Sequence, residues 1–93
     1  MATTDLSFSK NSENRWQASF VSEGAVTVQM QRKDVGAVNI YANLDGMTAK
    51  YIGGYGNYNG GNNVIFTIDV PSGVTVTIES YSEVVSAKML GNG

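Results

Sequence analysis

The sequence predicts an all-β fold, a single antiparallel β-sandwich (jelly-roll or immunoglobulin-like) of seven to eight short strands. Three observations predict it. Apolar residues alternate with polar ones in one segment after another, the period of a half-buried strand. A helical period of 3.6 is hard to find anywhere. Turn residues separate the alternating segments at intervals of roughly ten residues, the spacing of a sandwich or small barrel.

Taken in order, residues 1–14 carry nine Ser, Thr, Asn, Asp or Glu around Leu6 and Phe8. They read as a polar N-terminal arm in which Leu6 and Phe8 add an edge strand. The sandwich domain is expected over residues 15–90. Trp16, Ala18 and Phe20 alternate with Gln17 and Ser19; Val26, Val28 and Met30 with Thr27, Gln29 and Gln31. Val38, Ile40, Ala42 and Leu44 alternate with Asn39, Tyr41 and Asn43. Residues 50–52 form a short strand running into glycines. Val64, Phe66, Ile68 and Val70 alternate with Thr67 and Asp69, interrupted by Ile65; Val74, Val76 and Ile78 alternate with Thr75, Thr77 and Glu79. These sets place Trp16, Phe20, Val28, Ile40, Phe66, Ile68, Val76 and Ile78 in the core. Residues 84–90 put Val85, Ala87 and Met89 inward as a strand, with a short helical turn as the competing reading. Residues 91–93 are a flexible tail.

The turns follow from residue chemistry. Ser22-Glu23-Gly24, residues 33–36 and Asp45-Gly46 fall between strands, where glycine takes the positive φ of tight hairpins. In Val70-Pro71-Ser72-Gly73, proline presets the second turn position and glycine suits the fourth.

Absences narrow the function. The chain has no Cys and no His, which removes disulfides, thiolate nucleophiles, the commonest metal ligand and the usual neutral-pH base. No cofactor, metal site or catalytic residue is expected, so the reading is not an enzyme. A net charge of −2 with six scattered Lys and Arg disfavours nucleic acid. No run of eighteen apolar residues offers a membrane span. The first ten residues lack a signal-peptide pattern, so synthesis in a cytoplasm is expected.

One segment is unusual. Residues 51–68 contain no charge, and residues 53–63 hold five of the eleven Gly and two of the five Tyr. Tyr gives rigid amphipathic contact area and Gly and Asn give adaptable hydrogen bonding, as in binding loops. Three readings stand side by side: a plain glycine-rich hairpin connection, a contact surface for another subunit, and a glycan site. The contact candidates are Tyr51, Tyr55, Asn57, Tyr58 and Asn59, with Tyr41 as an outward-facing partner between Asn39 and Asn43. Gly54-Tyr55-Gly56 with Gly60 has the wrong spacing for a phosphate loop, and the absence of carboxylates argues against calcium. Asp69 and Glu79 flank the Pro71 turn and could lie across a hairpin, but the expectation is a solvated sheet face. Trp16 reads as a core anchor, with sugar stacking as its alternative.

Residues 25–31, 64–73 and 74–79 carry a resemblance of style. A short chain without Cys or His, built of Ser/Thr/Gly/Asn-rich antiparallel strands with an arm at each end, resembles the small accessory proteins of tailed-phage virions. These are capsid decoration, head-fibre and tail-associated β-sandwich modules. The resemblance implies a non-enzymatic virion component that acts through subunit contacts, with copies of itself (a trimer favoured) and a larger capsid or tail protein as partners. The alternative is a carbohydrate-binding module that uses exposed tyrosines on a surface glycan.

Overall fold

The computed structural model describes residues 3–51 and 61–91. Among them are nine strands and no helix: β1 (Thr3–Asp5), β2 (Ser9–Lys10), β3 (Trp16–Val21), β4 (Val26–Arg32), β5 (Val38–Leu44), β6 (Met47–Lys50), β7 (Asn63–Ile68), β8 (Thr75–Ser80) and β9 (Val84–Gly91). A four-stranded sheet runs β1-β9-β4-β7, and a five-stranded sheet runs β2-β3-β8-β5-β6. Every pairing is antiparallel. The fold is an all-β sandwich.

Alternation decides which side chains are buried but not which sheet receives the strand. Here the two differ from a chain of hairpins. Only β2–β3 and β5–β6 pair with their immediate successors. The turns at Ser22-Glu23-Gly24, residues 33–36 and Pro71-Ser72-Gly73 are therefore arches that carry the chain from one sheet to the other. The hairpin expected around Pro71 does not form, because β7 and β8 lie in opposite sheets. Asp69 and Glu79 are separated with them.

Ser22 explains how the arches hold. Its side chain is buried; Oγ donates to the Pro71 carbonyl at 2.5 Å and accepts from the Val74 amide at 3.2 Å. Its backbone bonds Val74 O and Gly73 N, each at 2.8 Å. One serine thus fastens two crossings together at one end of the sandwich.

Arg32 performs the same task at the other end. It continues the inward parity of Val26, Val28 and Met30 and is only 4% exposed. Its guanidinium donates to Gly36 O at 2.8 Å, Gly61 O at 2.6 Å and Asn62 O at 3.4 Å, with Ser80 Oγ at 3.5 Å. A buried cation must have its donors satisfied, and here main-chain carbonyls do this.

The core lies between the sheets. Val28, Ile40, Phe66, Ile68, Val76 and Ile78 are buried in it, with Phe20 half-buried against its margin. Trp16 departs from the expectation. It has the inward parity of Ala18, but it begins β3 opposite Ser80 and beside the two-residue β2, where the sheet gives it little cover. It stays half-buried outside the core cluster. Val85 is also corrected. Register shifts between Gln31 and Arg32, which face Ser86 and Val84, so Val85 is the extra residue of a bulge and is 64% exposed. Ala87 and Met89 beyond it are buried, and the helical alternative for this segment is excluded.

The segment expected as an arm is stitched to both sheets. Thr3–Asp5 pairs with β9, the Leu6 amide donates to Ala87 O at 3.1 Å, and Ser9–Lys10 pairs with β3. Leu6 and Phe8 pack against the core on the way across. Lys88 and Asp5 pair on the exposed side.

Candidate functional site

The outer face of the five-stranded sheet gathers the polar and aromatic side chains. Parity and register arrange them in rows: Gln17, Glu79 and Asn39 in one; Ser19, Thr77, Tyr41 and Lys50 in the next; Val21, Thr75, Asn43 and Thr48 in a third. Hydrogen bonds link neighbours along the second and third rows. Ser19 and Thr77 hydroxyls meet at 2.7 Å, and Asn43 Nδ2 donates to Thr48 Oγ1 at 2.7 Å.

The β2–β3 loop folds over one corner of this face. Asn11 organises it: Oδ1 accepts from the amides of Glu13 at 2.8 Å and Arg15 at 3.1 Å, while Nδ2 donates to Gln17 Oε1 at 2.9 Å. Asn14 takes φ of 63°, which asparagine tolerates better than most residues. The loop delivers Arg15 over the Tyr81 ring, 4.3 Å from its centroid, and to 3.5 Å from Glu79 Oε1. The result is a cation stacked on an aromatic face beside a carboxylate.

Beneath that cover the chemistry is unusual for an outer sheet face. Glu79 and Asn39 are each 6% exposed. Glu79 was expected on a solvated face; the loop and Arg15 remove it from solvent. Asn39 Oδ1 is buried with no hydrogen-bond partner among the described residues. An orphaned buried acceptor costs about 1–3 kcal/mol, so it calls for an explanation. Tyr41, next along β5, has its hydroxyl pKa raised, chiefly by burial and then by the Glu79 charge.

The predicted contact residues divide. Tyr41 lies on this face with Asn39 and Asn43. Tyr51 does not: its ring packs against the core, its hydroxyl accepts from the Asp69 amide at 3.0 Å, and its own amide donates to Ile40 O at 2.8 Å. It is a structural tie between β5 and the end of β7. Tyr55, Asn57, Tyr58 and Asn59 lie outside the described residues. Arg15 and Tyr81 were missed. Tyr81 shares the outward parity of Glu79, a signal present in the sequence; Arg15 acts from a loop, where parity says nothing.

No protein-family model and no curated protein matches this sequence. Among solved structures, the chain is similar to the A223 C-terminal domain, a structural protein from Sulfolobus turreted icosahedral virus, at 12% identity and a TM-score of 0.44. That match covers 95% of this chain and 92% of the other. It is also similar to the C-terminal CBM6 of LamC, a marine laminarinase from Zobellia galactanivorans, at 13% identity and a TM-score of 0.44, covering 96% and 90%. Identities this low carry no function across.

Proposed function

We propose that this chain is a non-enzymatic assembly protein, a small virion component of the capsid decoration or head-fibre kind, and that the outer face of the five-stranded sheet is its contact surface. The observation that supports the reading is the buried Asn39 Oδ1 beside Glu79, unpartnered among the described residues and ringed by Tyr41, Arg15 and Tyr81. Tyr and Arg are the residues that dominate protein interfaces, and a flat sheet face presents them without a cavity. Asn39 Oδ1 itself offers no open surface, so a neighbouring subunit would reach it by displacing the Arg15 and Tyr81 cover and would then satisfy the orphaned acceptor. Repetition on a symmetric shell would let each such contact remain modest.

The test is the solution mass of the untagged protein by light scattering across a concentration series. The expected result is a mass above the monomer that falls when Arg15→Ala and Tyr81→Ser are combined. A wild-type chain that stays monomeric to about 1 mM, a contact weaker than roughly 4 kcal/mol, removes the reading.

A second reading is a glycan-binding surface, favoured by the half-buried Tyr41 ring and hydroxyl on the outer sheet face beside the Asn43 amide. Sugars are bound by such amide and aromatic groups together. A glycan screen with Tyr41→Ala as control separates it: binding lost in the variant supports it, and no binding at all ends it.

A further inference from the structure

We infer that β6 is a self-pairing edge, through which two copies of this chain join antiparallel and double the five-stranded sheet across a two-fold axis. The inference rests on the assembly reading above and supplies a contact between copies that the outer face does not provide.

The geometry begins at the hairpin. Asp45 and Gly46 take φ of 53° and 85°, the two-residue type I′ turn, with Leu44 and Met47 as the closing pair. That pair is hydrogen-bonded, so the amides of Met47 and Ala49 face β5, and the Tyr51 amide on Ile40 O keeps the same phase. The amides and carbonyls of Thr48 and Lys50 then point away from the sheet. Among the described residues they meet no partner, and all of β6 is exposed.

A second copy is the occupant that fits. With Thr48 opposite the copy's Lys50, every outward amide and carbonyl of both strands is paired, and the symmetry makes the contact self-complementary. Charge agrees. Lys50 stands at one end of β6 and Asp45 at the turn before the other, and neither forms an ion pair among the described residues. Antiparallel pairing brings each Lys50 towards the copy's Asp45 at both ends of the contact. The apolar surface agrees as well. Met47 and Leu44 have inward parity but project past the facing sheet, 74% and 64% exposed. The same register sets Met47 opposite the copy's Tyr51, a sulfur–aromatic pairing. Edge lysines usually discourage pairing. Lys50 does not do so in this register, because it faces a neutral threonine and not a second lysine.

The experiment uses the full chain in the Arg15→Ala/Tyr81→Ser background, which removes the outer-face contact, and reads mass by light scattering. The expected mass is two copies. Thr48→Pro, which deletes an outward amide and spares the main-chain bonds to β5 while losing the Asn43–Thr48 side-chain bond, reduces it to one copy with an unchanged circular dichroism spectrum. Lys50→Glu is the second variant, should proline disturb the hairpin. It weakens association by about tenfold or more, the effect of one charge-assisted contact, and Asp45→Asn added to it recovers part of the loss. A two-copy mass that survives both Thr48→Pro and Lys50→Glu overturns the inference. So does a single-copy mass in the starting background, and if the wild type still assembles, the outer-face reading stands alone. A monomeric wild type removes both.

Discussion

Asn39 and Glu79 face each other across β5 and β8 on the outside of the sandwich, each 6% exposed, and the asparagine side-chain carbonyl has no hydrogen-bond partner among the described residues. A group of this kind lowers the stability of the folded chain. Asn39→Leu is therefore expected to stabilise the isolated chain by about 1 kcal/mol and to weaken assembly. Urea unfolding checks the first half, with the midpoint rising at constant slope. Light scattering on the same variant checks the second.

Arg15 and Glu79 form the only charge contact over this corner among the described residues, at 3.5 Å with Arg15 one-third exposed. The separation and exposure make it a weak pair. A double-mutant cycle of Arg15→Ala and Glu79→Gln is expected to give a coupling of roughly 0.5–1 kcal/mol. A coupling near zero would mean that Arg15 is held by the Tyr81 ring alone.

The sequence showed the in-and-out pattern because that pattern is written in side-chain polarity, residue by residue. Val28, Ile40, Val76 and Ile78 needed no more than period two, and the Asp45-Gly46 turn needed only its residue types. The sheet to which each strand belongs was not legible, since Ser22, Gly73 and Pro71 suit an arch as well as a hairpin. Val85 was misplaced because a bulge inserts one residue without changing composition. The candidate site was half legible. Tyr41, Asn39 and Asn43 follow from parity, whereas the burial of Glu79 depends on an arginine sixty-four positions away in the chain.

Arg32 binds three main-chain carbonyls from two segments, and a shorter or neutral side chain leaves the Gly36 and Gly61 carbonyls without this donor, while Asn62 O keeps the Arg32 amide. Arg32→Met is expected to destabilise by about 1–3 kcal/mol, the cost of hydrogen-bond acceptors that lose their donor. Arg32→Lys restores little, because an ammonium cannot span the fork that a guanidinium fills. Thermal melts of both variants provide the check; a melting temperature for Arg32→Lys equal to wild type would contradict the argument.

Gly91 closes β9 with φ of 96°, and a Cβ there would lie 2.8 Å from the Ala25 carbonyl oxygen. Gly24 also has positive φ, 121°, but a Cβ on it would meet open space. Comparing the two separates strain from collision. Gly24→Ala is expected to lose about 1 kcal/mol from backbone strain alone, and Gly91→Ala distinctly more because β4 must shift as well. Equal losses in urea unfolding would show that β4 yields freely at Ala25.

The Tyr41 hydroxyl has a folded-state pKa above its ordinary value of 10.0, from burial first and the Glu79 charge second, with Arg15 opposing. The sign follows from proton binding. Above pH 10 the unfolded chain loses this proton while the native chain keeps it, so stability falls as pH rises from the unfolded pKa through the folded one. Below that window the contribution is fully present and the stability profile is flat in this term. Glu79→Gln removes one of the causes, lowers the native pKa towards the unfolded one, and is expected to narrow the window from its upper end and reduce the total fall, with the onset unchanged. Tyr41→Phe removes the term altogether. Measured by urea unfolding on both sides of pH 10, the fall is expected to be smaller in Tyr41→Phe than in wild type. Identical profiles would place the alkaline sensitivity elsewhere in the molecule.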